Sequence, residues 1–239
     1  AVEWASRIDT AAAESAENGR DYKHFAFSLA GDVVELHYFM CVFGNRRLQQ
    51  RLQTIIDKEF ADEAPCYVEI GGERIETVPS TLSVLHQLMH ISHHLLEAGI
   101  GLRQICDLAL FLDEHDGEID RSRLNGYLKD LELTEVAQSL GCIMVHQLGL
   151  RAERLPFGMS DRYAHFILNE IFEGGNFGKK KTEYRNGANV FLRKLQSIFY
   201  FYKRCRLYKS LLPSEAKSYF INKIKLNVRL LTKHHYCIL

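Results

Sequence analysis

No apolar run in this sequence reaches the roughly 18 to 20 residues that a helix needs to cross a bilayer, so no transmembrane segment is expected. Cysteine pairing is missing too. Cys41, Cys66, Cys106, Cys142, Cys205 and Cys237 stand singly, with no Cys-x-x-Cys motif and no crowded spacing. Neither a disulfide framework nor a zinc knuckle follows from that pattern, and the six read as reduced, mostly buried thiols of a cytoplasmic protein. The opening AVEWASRIDTAAAESAENGR lacks the basic and apolar regions of a signal peptide. It also lacks a Met, which leads to the expectation that the chain is a piece of a longer protein. Net charge is the last absence, since 30 Lys/Arg balance 30 Asp/Glu.

That balance hides two opposed parts. From Lys179 to Leu239 there are 15 Lys/Arg against 2 Asp/Glu, leaving 15 basic against 28 acidic residues before it, or about +13 against −13. Such a tail either docks on its own acidic body or meets an anionic partner, a membrane surface or a nucleic acid.

With 46% hydrophobic and 25% charged residues, the chain is composed like an ordinary globular protein with a real core. The opening reads as a short helix to about Glu17, closed by a turn at NGRD. Then the period changes to two. HFAFSLAGDVVELHYFM alternates around a Gly31-Asp32 link, as a hairpin does. Phe25, Phe27 and Leu29 share one face of its first arm. In the second arm Val33, Glu35, His37 and Phe39 share one face, bringing a carboxylate and an imidazole together. Leu48, Leu52, Ile55, Ile56 and Phe60 mark a helix from Asn45 to about Asp62, and CYVEIGGERIETV marks a second hairpin around Gly71-Gly72. After Pro79 only helices are expected: one from Ser80, a plausible cap, to a stop at Gly99; one over GLRQICDLALFLDEH; and others near 120 to 130, 133 to 149, 160 to 174, 187 to 211 and 214 to 233. EGGNFGKKKTEYRNG (173 to 187) reads as a loop. The fold class is therefore α+β, with an α+β domain over 1–79 and a helical domain over 80–239.

HISHHLLEAGIGLRQICDLALFL (90 to 112) holds the most chemistry. On a helical wheel Leu82, Leu85, Leu88, Met89, Ile91, Leu95 and Leu96 fill one side, while Ser83, His86, His90, His93, His94 and Glu97 gather within roughly a third of the circumference on the other. His86 and His90, spaced i, i+4, could ligate zinc. A helical zinc hydrolase wants Glu after the first His, where Gln87 stands, and no His-Asp doublet follows. The stripe reads instead as a solvated or interdomain polar face, or as substrate-facing imidazoles. Arg103 and Asp107 are spaced to pair on the next helix. Behind Gly99 and Gly101, that pair also suits an anion near a helix N-terminus.

In the tail, FLRKLQSIFYFYKRCRLYKSLL (191 to 212) sets Phe191, Leu195, Ile198, Phe199 and Tyr202 at helical spacing among Arg193, Lys194, Lys203, Arg204, Arg206 and Lys209. Such a stripe reads as core, with attachment to an anionic membrane surface, or to nucleic acid, as the alternative.

The His-rich helix, the GIGLRQICD elbow, VVELHYFM and VEIGGERIETVPS together resemble the bacterial uncharacterised nucleotidyltransferase family, a branch of the DNA polymerase beta-like superfamily. The resemblance runs over most of residues 20 to 180, EGGNFG included. It implies transfer of a nucleotidyl group from a nucleoside triphosphate to an acceptor, here unknown, with Mg²⁺ ions held by three carboxylates. Glu35 matches the third, which makes it the expected catalytic metal ligand. His37, His90, His94, Arg103 and Asp107 are then the candidate substrate contacts. The first two carboxylates, an Asp-x-Asp after a Gly-Ser helix start, do not occur before Glu35. The chain is accordingly expected to be inactive alone. The alternatives are a non-catalytic nucleotide- or protein-binding module, or a membrane- or nucleic-acid-associated helical protein.

Overall fold

The computed structural model describes residues 24–29, 32–37, 39–62, 66–97, 99–174 and 190–235. The expected opening helix, the NGRD turn, Gly31 and nearly all of the 173–187 loop lie outside them. The chain divides into two compact units, Ala1–Val42 and Phe43–Leu239.

In the first unit, β1 (His24–Leu29) and β2 (Asp32–His37) form an antiparallel pair. Leu29 stands opposite Asp32, Ala26 opposite Glu35 and His24 opposite His37. Asp32, expected in the turn, is thus the first residue of β2. Because the strand alternates, the positions of Glu35, His37 and His24 fall on one face of the ribbon, and those of Phe25, Phe27, Val34 and Leu36 on the other.

The second unit opens with α1 (Arg46–Asp62). Asn45 caps it, its side-chain oxygen accepting the Arg47 and Leu48 N–H groups at 3.0 and 3.2 Å. A second antiparallel pair follows, β3 (Cys66–Ile70) and β4 (Glu73–Thr77). It turns on Gly71 and Gly72, both with positive φ. The rest is helical: α2 (Ser80–Glu97), α3 (Leu102–Glu114), α4 (Arg121–Asp130), α5 (Thr134–Leu148), α6 (Ala164–Gly174), α7 (Val190–Tyr208) and α8 (Pro213–His235). The chain is α+β, mostly helix, with two small antiparallel ribbons among the described residues.

Helix α2 is the hub. Leu82, Val84, Leu85, Leu88, Met89, Ile91, Leu95 and Leu96 are each at most 1% exposed, and α2 packs against α3, α4, α5 and α7. At about 2–5 kcal/mol per large-to-Ala truncation, this row dominates the stability of the unit. Ser80 is the first helical residue, and its hydroxyl donates to Glu118 at 2.5 Å. Glu59 of α1 is fully buried and accepts the Tyr127 hydroxyl at 2.6 Å and an Arg123 N–H at 3.2 Å, tying α1 to α4. Burial, with that carboxylate beside it, pushes the Tyr127 phenol well above its ordinary value.

The tail departs from the sequence reading. Phe199 and Tyr202, expected in the core, face outward, and the buried positions among the described side chains of α7 are Arg204, Cys205 and Tyr208; the side chains of Phe191 and Leu195 lie outside the described residues. The cause is Arg204, which is 4% exposed. Its guanidinium donates to the Leu95 and Leu96 carbonyls and to Glu170 at 3.1 Å. The end of α2 carries unsatisfied carbonyls and the negative end of its dipole, so a cation here is favoured twice. That contact turns α7 with Arg204 inward. The cysteines differ as well: Cys205 is buried, while Cys41, Cys66, Cys106 and Cys142 are only half-buried.

Helix α8 then reaches back to the start of α1. Buried Glu215 accepts the N–H groups of Gly44 and Asn45 at 2.6 and 3.0 Å, and Asn45 donates to the Ser218 hydroxyl at 3.1 Å. A Cβ at Gly44 would come within 3.2 Å of Glu215 and of Asn222.

Candidate functional site

The leucines of α2 turn its histidines away from the core, and the elbow after α2 decides what meets them. Gly99 has φ +97° and donates its N–H to the His94 carbonyl at 2.7 Å, ending the helix in a conformation glycine adopts without strain. Ile100 is fully buried and pins the turn. Gly101 donates its N–H to the Gln104 side-chain oxygen at 3.1 Å, starting α3. Helix α3 therefore folds back along α2.

The result is a cleft of about 220 Å³ lined by His86, Gln87, His90, Ile91, Gln104 and Asp107. Its walls hold two imidazoles, two carboxamides and one carboxylate over an isoleucine. These groups can donate to and accept from a polar ligand, and protonated histidine adds positive charge for an anion. His90 meets His94 edge to face with ring centroids 4.4 Å apart, and His86 at 6.1 Å.

The stripe divides along its length. His93 pairs with Glu97 at 3.0 Å, and Glu97 also accepts the Tyr219 hydroxyl at 3.1 Å and lies 3.5 Å from the Lys223 ammonium. The His93 hydrogen bond, reinforced by these neighbours against burial, holds the Glu97 carboxyl down at about 2. This end anchors α8. The end holding His86 and His90 faces the cleft.

Of the residues expected from the sequence, His90 and Asp107 come together in the cleft, and His94 stacks against His90 from one turn away. Arg103 is exposed and not part of the lining. The expected Arg103–Asp107 pair is not among the ion pairs of the described residues. Asp107 lines the cleft and Arg103 does not, so the i, i+4 spacing is not used. His86, Gln87 and Gln104 complete the lining. Their signal was present, His86 one turn before His90 and Gln104 one turn before Asp107, but which face of α3 would meet α2 was set by the elbow.

Glu35 and His37 belong to the first unit, where Glu35 is defined by its register opposite Ala26 and His37 is exposed. The carboxylates of β2 are Asp32 and Glu35, three positions apart and so on opposite faces. A two-ion centre needs several carboxylates converging on one point. Glu35 can supply one position of such a centre, while Asp32 falls on the other face of the ribbon. Among the described residues, no group of three or more His, Cys, Asp or Glu side chains is placed to hold a metal ion, and no helix is long and apolar enough to cross a membrane.

A family model described as an uncharacterised nucleotidyltransferase matches residues 6–149, a stretch that includes both β2 and the α2–α3 cleft. No curated protein and no solved structure matches.

Proposed function

We propose, from the premise that this chain belongs to the uncharacterised nucleotidyltransferase family, that it serves nucleotidyl transfer from a nucleoside triphosphate to an acceptor. In this reading residues 1–79 carry the catalytic side and 80–239 the recognition side. The cleft between α2 and α3 takes the nucleotide or the acceptor, with His90, His86, Gln104 and Asp107 as its polar contacts. His94 orients the His90 ring from one turn away, while Arg103 and His37 remain candidate contacts outside the cleft lining.

Glu35 is the one metal carboxylate this chain would contribute. Glu35 would hold a divalent ion, expected as Mg²⁺, in part, and that ion would supply neutralisation of the charge that develops on transfer. No Asp-x-Asp that would supply the other two carboxylates stands before Glu35. The chain alone is therefore inactive, and its compartment is the cytoplasm, in keeping with cysteines that stand singly in the sequence. The observation that carries the reading is the family match over a stretch that holds both Glu35 and the cleft.

The test is equilibrium binding of Mg²⁺ with each nucleoside triphosphate to the whole chain and to His90→Ala and Asp107→Asn. Saturable binding weakened about tenfold or more by His90→Ala is expected. Binding that both substitutions leave unchanged would remove the cleft from the account. No binding of any nucleotide would favour the second reading, a non-catalytic protein-binding module, which the lack of Asp-x-Asp before Glu35 also supports.

A further inference from the structure

If the basic tail only docked on the acidic body, its cations would be used up there. Two of them are: Arg204 at Glu170 and the end of α2, and Lys223 at Glu97. Lys203, Arg206, Lys209, Lys217 and Lys225 are exposed, and no ion pair among the described residues involves them. Neither helix carries exposed acid of its own to offset them. Helix α7 contains no Asp or Glu, and the single one of α8, Glu215, is buried against Gly44 and Asn45. Among the described side chains, the outward surface of this helix pair is therefore positive.

The same surface is apolar where a surface helix is usually not. Phe199 is 70% exposed, Leu207 50% and Tyr202 47%. At 100° per residue, Phe199, Tyr202, Lys203, Arg206 and Leu207 fall within one side of α7, opposite Arg204, Cys205 and Tyr208. Tyr202 meets Phe220 of α8 at 5.6 Å. The neighbouring Ile221 is also exposed and has Lys217 and Lys225 one turn to either side. Large apolar side chains flanked by Lys and Arg, with no carboxylate between, suit the boundary of an anionic bilayer: the rings and leucine enter the acyl edge and the bases lie at the headgroups. A nucleic acid would use the bases and stack on the rings, but it has no use for exposed Leu207 and Ile221.

We infer that the outward face of α7 and α8 docks on an anionic lipid surface, with Phe199, Tyr202 and Leu207 inserted and Lys203, Arg206, Lys217 and Lys225 at the headgroups. The inference is independent of what the cleft binds.

The experiment is flotation of the full chain with phosphatidylcholine vesicles, with and without phosphatidylserine. The two variants are Phe199→Ser with Leu207→Ser, and Lys203→Gln with Arg206→Gln; these positions are exposed, and circular dichroism and thermal melting verify that the fold is kept. The expected result is binding only to the anionic vesicles, reversed by salt. Each base near such a surface strengthens binding about fivefold, so the charge variant should lose about tenfold or more. The apolar variant should lose a comparable factor. Absence of binding, equal binding to neutral vesicles, or binding untouched by both variants would overturn the inference. So would single-stranded RNA that binds more tightly than the vesicles and displaces them, or self-association that depends on Phe199 in a chain that ignores vesicles.

Discussion

Arg204 organises the tail at the level of a single residue. It lies within a run of bases, and nothing local marks it as different from Lys203 or Arg206. Its partners, the Leu95 and Leu96 carbonyls, are more than a hundred residues away in sequence, which is why its burial was not legible while the leucine period of α2 was. Arg204→Met keeps the length of the side chain and removes the donors, leaving buried carbonyls unpaired. Urea unfolding should show a loss of about 2–4 kcal/mol. By contrast Lys203→Met, at an exposed position, should change stability by less than about 0.5 kcal/mol.

Two carboxylates set opposite pH trends. The Glu97 carboxyl is lowered from its ordinary 4.5 to about 2. Its contribution is therefore complete above pH 4.5 and is lost as pH falls towards about 2. Burial raises the Glu215 carboxyl against the pull of the Gly44 and Asn45 N–H groups, so its contribution is lost as pH rises through its folded value. Glu97→Gln should flatten the acid limb of the urea midpoint below pH 4.5, and an unchanged limb would show that the His93–Glu97 contact carries no stability. Glu215→Gln removes the opposite trend and isolates the Glu97 limb.

Among the elements, the elbow between α2 and α3 forms the site. Gly99 was legible as a helix stop, since glycine is the residue that ends a helix with positive φ. What could not be read was the rotation of α3, which brings Gln104 and Asp107 to the histidines and leaves Arg103 outside. An i, i+4 pair is favourable by only a few tenths of a kcal/mol, too little to choose a packing face. Gly99→Ala places a side chain at φ +97° and should cost about 1–2 kcal/mol. If α3 is held by this turn, the variant should also weaken ligand binding in the cleft, with the melting temperature and the binding constant falling together. The helices α7 and α8 belong to the same structure: Tyr208, Leu211 and Leu212 are buried, and Glu215 fixes the entry to α1. Deleting residues 187–239 should abolish cooperative unfolding of the remainder, measured by far-UV circular dichroism against urea. A cooperative transition at the original midpoint would contradict the docked tail.

Across the whole molecule, the α+β class was readable because both hairpins alternate strictly around glycine and the later segments do not. The first hairpin was misplaced by one residue at Asp32, since Gly-Asp is a good turn pair and only the register with Leu29 decides otherwise. The candidate site was half legible, His86, His90 and Asp107 by residue type and spacing, Gln87 and Gln104 only once the helices are set side by side. Under the proposed function, these residues recognise a nucleoside triphosphate but do not complete its chemistry. The most direct measurement is incubation of the purified 239-residue chain with α-labelled nucleoside triphosphate and Mg²⁺, following bound label and released pyrophosphate in the same sample. The expected result is label bound reversibly and displaced by unlabelled nucleotide, with no pyrophosphate released. Pyrophosphate release that Glu35→Gln abolishes would contradict it, because a chain with one of three expected carboxylates would then be a complete enzyme.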